Sequence, residues 1–193
     1  MKKGQVSEWI QAYYPGYYEM EDYPADRTVV VNKTDEEWGI LGNFGRSPIV
    51  VDGVSFDCTE RLFQIMKLSD PVIRRAVYAY PKNPWMKRVA NKHEEVFRPD
   101  WGSLFIDALK FCLVTKYAQS EAFRTELART GDRFIVEKNH GRPDSYCAVL
   151  SDDGTTWTGR NVMGRLLMEL RDNGKLDYTL PEDIFCFRDL LEP

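Results

Sequence analysis

The chain has 193 residues, 43% hydrophobic and 29% charged, the size and balance of one globular domain with a substantial core rather than of a disordered segment. A formal net charge of −4 argues against a protein held on nucleic acid mainly by its overall field, while leaving room for a local basic groove. No stretch has the apolar length of a membrane span, and no hydrophobic run follows Lys2 and Lys3 as in a signal peptide, so the expectation is a cytoplasmic protein without membrane contact. Cys58, Cys112, Cys147 and Cys186 are widely spaced with no Cys-x-x-Cys pair, which predicts reduced thiols and no zinc.

Residues 1–27 form a tyrosine-rich N-terminal extension (Tyr13, Tyr14, Tyr17, Tyr18, Tyr23) broken by Pro15, Gly16 and Pro24, expected to pack on a domain or a partner and to hold one short helix near Ser7–Tyr14. Regular signals begin with the β-branched run Thr28–Val31, a strand. Ile49–Val51 and Val54–Phe56 flank Asp52-Gly53, which predicts a two-residue hairpin. Helical periodicity follows in Phe105, Ala108, Leu109 and Cys112, and again in Met163, Leu166, Leu167 and Leu170. Asn161 is placed to cap the second of these helices and Gly174 to close it. Between them, Phe134–Glu137 and Tyr146–Leu150 read as strands, the latter turning at Asp152-Asp153-Gly154 towards Thr155–Thr158, and Pro181–Leu191 reads as a short helix. The predicted class is α+β, a predominantly helical single domain with short hairpins, spanning residues 28–174 between the N-terminal extension and a C-terminal one at 175–193.

Four local patterns can carry chemistry. In Thr59–Lys67, a helix would align Glu60, Gln64 and Lys67 on one face, a column suited to orienting a polyhydroxylated sugar; on spacing alone, exposed Glu…Lys pairs are ordinary helix decoration. In Leu41–Pro48, Gly42 and Gly45 would let backbone approach a ligand beside Asn43, or serve a plain turn. The stretch Lys67, Arg74, Arg75, Lys82, Lys87, Arg88, Lys92 and Arg98, interleaved with Tyr78, Tyr80, Trp85 and Trp101, offers charge for phosphates and rings for a base, or a solvated face over buried aromatics. Glu137, Asp144, Trp157 and Asn161 cluster around a helix start, where Asn161 would place free N–H groups before an anion, or simply cap. His93 and His140 have no companions at nucleophile or metal-ligand spacing.

In order, the chain presents Leu-Gly-Asn-Phe (41–44), Val-Asp-Gly (51–53), Thr-Glu-Arg-Leu-Phe-Gln-x-x-Lys (59–67), Met-Lys-Arg (86–88), Asp100-Trp101, Lys116-Tyr117, Thr-Gly-Asp (130–132), Val136-Glu137 and Gly-x-Asn-x-x-Gly-x-Leu-Leu-Met (159–168). Over roughly residues 28–172 this resembles the NADAR family, the NAD- and ADP-ribose-associated domains. The resemblance implies a mostly helical, metal-independent and cofactor-free N-glycosidase acting on ribose C1–N bonds, with ADP-ribosylated guanine of nucleic acid as the expected substrate, early riboflavin-pathway intermediates as the alternative substrate, and a non-catalytic ADP-ribose-binding module as the alternative of another class. By matching position it implies Glu60 and Lys67 as catalytic residues. It implies Asn43, Phe44, Gln64, Trp101, Asp144 and Asn161 as substrate-binding residues, with an ADP-ribose-containing partner. This chain departs from the family pattern at Thr59, where Ser is usual, at Arg61, where His is frequent, and at Asp144–Ala148, where the family's Asp-x-x-Trp-Gly is altered.

Overall fold

A computed structural model describes residues 4–139 and 146–191. Its helices are α1 (Gln5–Tyr13), α2 (Thr59–Met66), α3 (Pro71–Tyr78), α4 (Asn83–Lys92), α5 (Trp101–Gln119), α6 (Glu121–Arg129) and α7 (Val162–Asn173). Helix α5 forms the axis. Trp101, Phe105, Ile106, Ala108, Leu109, Cys112, Leu113 and Lys116 are buried on several of its sides, and α1, α2, α6 and α7 all pack against it. Local chemistry sets the helix ends. Asp70 caps α3 by accepting from Val72 N and Ile73 N with Pro71 at its first position, Ser120 Oγ caps α6 through Phe123 N, and Gly174 closes α7 at φ 69°.

The strands are β1 (Glu21–Pro24), β2 (Thr28–Val31), β3 (Ile49–Val51), β4 (Val54–Phe56), β5 (Phe134–Glu137), β6 (Ala148–Leu150) and β7 (Thr156–Gly159). The β3–β4 hairpin forms as expected, with Asp52 and Gly53 both at positive φ (49° and 77°) in the turn, and Ile49 opposite Phe56. Strand β7 pairs with β6 on one side and β1 on the other, both antiparallel. The pairing of β2 with β5 is parallel, Thr28 opposite Phe134 and Val31 opposite Glu137. Parallel pairing needs a long crossover, and here α2 through α6 supply it. The result is a single α+β domain, mainly helical.

Residues 4–27 are built into this domain. Trp9 lies against Gly102, where an added Cβ would come within 2.6 Å of the indole Nε1. The Tyr14 hydroxyl donates to Ser103 O, Tyr17 donates to Glu169 at 3.0 Å, and β1 completes the three-stranded sheet. At the other end, the expected Pro181–Leu191 helix is two 3₁₀ turns, Glu182–Phe185 and Arg188–Leu191. The fully buried Phe187 between them packs edge-on against Phe56, and seating that ring interrupts the helix. Among the described residues no helix is long and apolar enough to cross a membrane, and no group of three His, Cys, Asp or Glu side chains could hold a metal ion.

Candidate active site

The site is organised by the start of α2. Asn43 O accepts the Glu60 N–H at 2.9 Å, and the Thr59 hydroxyl reaches both Asn43 O and Oδ1, at 3.2 and 3.1 Å. The loop carrying Asn43 and Phe44 is therefore clamped to the helix carrying Glu60. From beneath, the buried Lys116 ammonium donates to Ile40 O at 2.7 Å and Gly42 O at 2.8 Å. The loop glycines serve the protein's own backbone: a Cβ on Gly45 would meet Gly39 O at 2.6 Å, and one on Gly42 would press on Val31.

Every residue of α2 is buried, its polar ones included. The column expected from spacing exists, but as a buried chain rather than surface decoration. Gln64 Nε2 donates to Glu60 Oε1 at 2.8 Å, and Lys67 Nζ donates to Gln64 Oε1 and, at 2.6 Å, to Asn91 Oδ1. Its ends face different ways. Glu60, 3% exposed, lines a cavity of about 50 Å³ together with Asn43, Phe44, Phe63, Lys87, Phe105, Leu109, Glu137, Tyr146 and Met163. Lys67 lies one layer behind, its ammonium 4.4 Å from the centre of the Phe97 ring.

The amine in the cavity is Lys87. Its Nζ is 2.9 Å from Glu60 Oε1 and 5.5 Å from the Phe44 ring centre. Gln64 and Lys87 both engage Oε1, and among the described residues Oε2 has no protein partner. The two lysines are tuned in opposite senses. Burial pulls Lys67 down to about 7, with Glu60 opposing and Lys87 reinforcing the fall. Burial also pulls on Lys87, but the charges of Glu60, Tyr146 and Glu137 more than reverse it and hold the ammonium above its ordinary range. Burial raises Glu137 above the usual carboxylate range, against the Cys147 thiol at 3.2 Å and Lys87. For Tyr146 the Lys87 charge favours ionisation, but burial and the neighbouring acidic groups outweigh it and the phenol is raised. One cavity thus holds two carboxyl groups in unlike surroundings, an ammonium and a phenol.

Of the residues singled out in the sequence, Asn43, Phe44 and Glu60 line the cavity, and Gln64 orients Glu60 from behind. Trp101 is in the core, against Phe63 and Phe105, the next layer out from the wall. Asn161 occupies the N-cap position of α7, yet its side chain makes no cap there. Held at φ 46°, it accepts from Glu137 N at 3.0 Å and donates to Ile135 O at 2.8 Å, so it fastens β5 rather than facing a ligand. Asp144 lies outside the described residues. Glu137 stood in the candidate segment around Asn161, Lys87 in the basic stretch and Tyr146 in the altered Asp144–Ala148 segment, but nothing in the spacing brought the three together. The unusual Arg61 is structural: it pairs with Asp57 at 2.7 Å and donates to Val77, Tyr78 and Tyr80 carbonyls and to Asn83, tying α2 to the α3–α4 connection.

The sequence model of the NADAR domain matches residues 29–173, three quarters of the chain and all of the cavity-lining residues. The chain belongs to the NADAR domain family. Among relatives, N-glycosidase YbiA of Escherichia coli K12 is 29% identical over 147 residues, 76% of this chain and 88% of that protein. Riboflavin biosynthesis protein VVA0006 of Vibrio vulnificus is 25% identical over 172 residues, 89% of this chain. This NADAR chain covers 45% of that longer protein's length. The NMR structure of E. coli YbiA superposes with a TM-score of 0.63 at 26% identity, over 76% of this chain and 84% of the other.

Proposed function

We propose that this NADAR protein is an N-glycosidase that hydrolyses a ribose C1–N bond, with Glu60 and Lys87 as the reacting pair. The observation that carries the reading is the 2.9 Å contact between a 3%-exposed carboxylate and an ammonium inside an aromatic-walled cavity. Breaking a C1–N bond builds positive charge on the sugar, and Oε2 of Glu60, without a protein partner among the described residues, is the atom to meet it. The same carboxylate is within proton-transfer distance of Lys87, whose resting form is the ammonium, so Glu60 can take the Lys87 proton as the amine adds to an opened sugar aldehyde. Glu137, biased by burial towards its protonated form, is the donor for the departing nitrogen. Lys67 has the lower pKa but lies a layer away, and its role is to hold Gln64 and through it Glu60. A cavity of about 50 Å³ has room for one or two waters, so Phe44 or Tyr146 must move for a ribosyl group to enter.

The preferred substrate is ADP-ribose joined to guanine in nucleic acid, which needs sites for a pyrophosphate and for planar rings; the basic, aromatic-bearing α3–α4 region suits both. The name of the Vibrio relative favours a second reading, an aminopyrimidine ribose phosphate of riboflavin synthesis. The deciding experiment presents both substrates to the wild type and to Glu60→Gln, with products followed by mass spectrometry. The substitution should lower turnover by at least ~100-fold while leaving the circular dichroism spectrum unchanged. A folded Glu60→Gln protein that cleaves at the wild-type rate would overturn the site. Cleavage of the aminopyrimidine without competition from ADP-ribose would promote the second substrate.

A further inference from the structure

The structure sorts the basic stretch of residues 67–101 into two sets. Lys67 is buried on Gln64 and Asn91, Arg74 on Cys186 O and Asp189, and Arg98 is paired with Asp100 and Asp183. Lys87 belongs to the cavity, Trp101 to the core, and the Tyr78 hydroxyl to Ser55 O. Left over without an ion pair among the described residues are the half-buried Arg75 on α3 and the exposed Lys82, Arg88 and Lys92 on and beside α4. Beside them is Trp85, 50% exposed although Trp38, Trp101 and Trp157 are all buried. The Arg88 guanidinium stacks on the Trp85 ring at 4.5 Å from its centre. Tyr80, Pro81, Lys82 and Trp85 together border an open cleft of about 390 Å³.

We propose that this face of α4 is a docking track for a single-stranded nucleic acid, with a base on the Trp85 ring and the flanking phosphates on Lys82, Arg88 and Lys92. The assignment rests on the polymer substrate proposed above. Charge complementarity selects the partner. From Lys82 through Lys92 the chain carries four cations and no carboxylate, in a protein whose net charge is −4. An acidic peptide would satisfy the cations but has no use for an exposed indole already topped by a guanidinium, which is an arrangement that stacks bases. The placement suits the chemistry. Lys87, in the cavity, is two residues from Trp85 on the same helix, so the track and the cavity are separated by no more than about one helix diameter, ~10–12 Å. A nucleotide held in the cavity can keep its neighbours on the track.

The test separates binding from turnover. The folded Glu60→Gln protein is titrated into a fluorescein-labelled twelve-nucleotide oligothymidylate and followed by anisotropy, with Trp85→Ala and Arg88→Glu added singly and together. Each change should weaken binding by ~10-fold, the scale of losing one stacked base, and Arg88→Glu should also flatten the dependence of log K on log salt by about one. Each variant should keep the circular dichroism spectrum and melting temperature of its parent, so that a loss of binding reports the track and not the fold. If the doubly substituted protein binds the strand as tightly as its parent, or if polyglutamate displaces the strand and Trp85→Ala has no effect, the track is refuted. Strand binding without any glycosidic cleavage would instead refute the enzymatic reading and leave the track standing.

Discussion

At the level of single residues, the decisive distinction is between Lys67 and Lys87. Both approach Glu60, one through Gln64 and one directly. Borohydride added during turnover should therefore trap sugar on the tryptic peptide containing Lys87; an adduct on Lys67 would reverse the roles of the two lysines. Glu137 makes a second prediction. A group that must be protonated to act loses activity as pH rises past its pKa, so kcat should fall on the alkaline side, and Glu137→Gln should abolish that limb along with most of the rate. Glu60 could be picked out in the sequence because its block is distinctive. Of its partners, Glu137 and Lys87 stood in candidate patterns of their own, but their meeting with each other and with Tyr146 could not be read, because the three come from separate segments that join only when α4, β5 and the stretch before β6 converge. Asn161 shows the converse. Its position before a helix fits a cap, but the left-handed backbone turns the amide onto β5. Asn161→Ala removes two hydrogen bonds and leaves Glu137 N and Ile135 O unsatisfied, which should cost about 2–4 kcal/mol in urea unfolding.

Among the elements, the long helices and the β3–β4 hairpin were legible because each carries its own signal: apolar period, cap, or Asp-Gly turn. The parallel β2–β5 ladder was not, since two four-residue strands far apart in sequence say nothing local about pairing. Strand β1 escaped for a related reason. Glu21–Pro24 has little strand character, and its place is set by β7. The N-terminal residues are thus part of the domain's packing. Removing residues 1–27 would uncover β7 and the α5 surface beneath Trp9, and the expected outcome is insoluble or molten protein rather than a folded enzyme lacking a partner site. A truncated protein with wild-type melting temperature and activity would return these residues to the status of an accessory tail.

For the molecule as a whole, the buried ionisable groups predict an unusual pH profile of stability. Lys67 and Lys116 have folded pKa values of about 7 against an ordinary 10.5, both lowered by burial. Between those values the unfolded chain binds more protons, so stability rises with pH from about 7, with an upper slope of ~1.4 kcal/mol per unit for each lysine. Cys58 is raised by burial from 9.0 to about 12, and Cys112 is raised as well. Above about pH 9 the unfolded thiols ionise while the folded ones do not, which subtracts stability. Urea midpoints should therefore climb from pH 7 to about 9 and then level, and Lys116→Met should reduce the climb; a midpoint that falls steadily from pH 7 would contradict the buried-lysine account.

The strand ladders that join the first thirty residues to β5 and β7 also set a timetable. On the ribosome, β1 and β2 emerge with exposed edges and a cluster of tyrosines around them, well before their partners are made. Roughly a hundred residues must be added in the interval, ~5–20 s at ordinary elongation rates. During that wait the helices between can collapse on one another, but the N-terminal strands have nothing to close against. The nascent chain is then a natural client for a ribosome-associated holdase, and a synonymous slowdown in the codons for residues 120–160 should lower soluble yield without altering the finished enzyme.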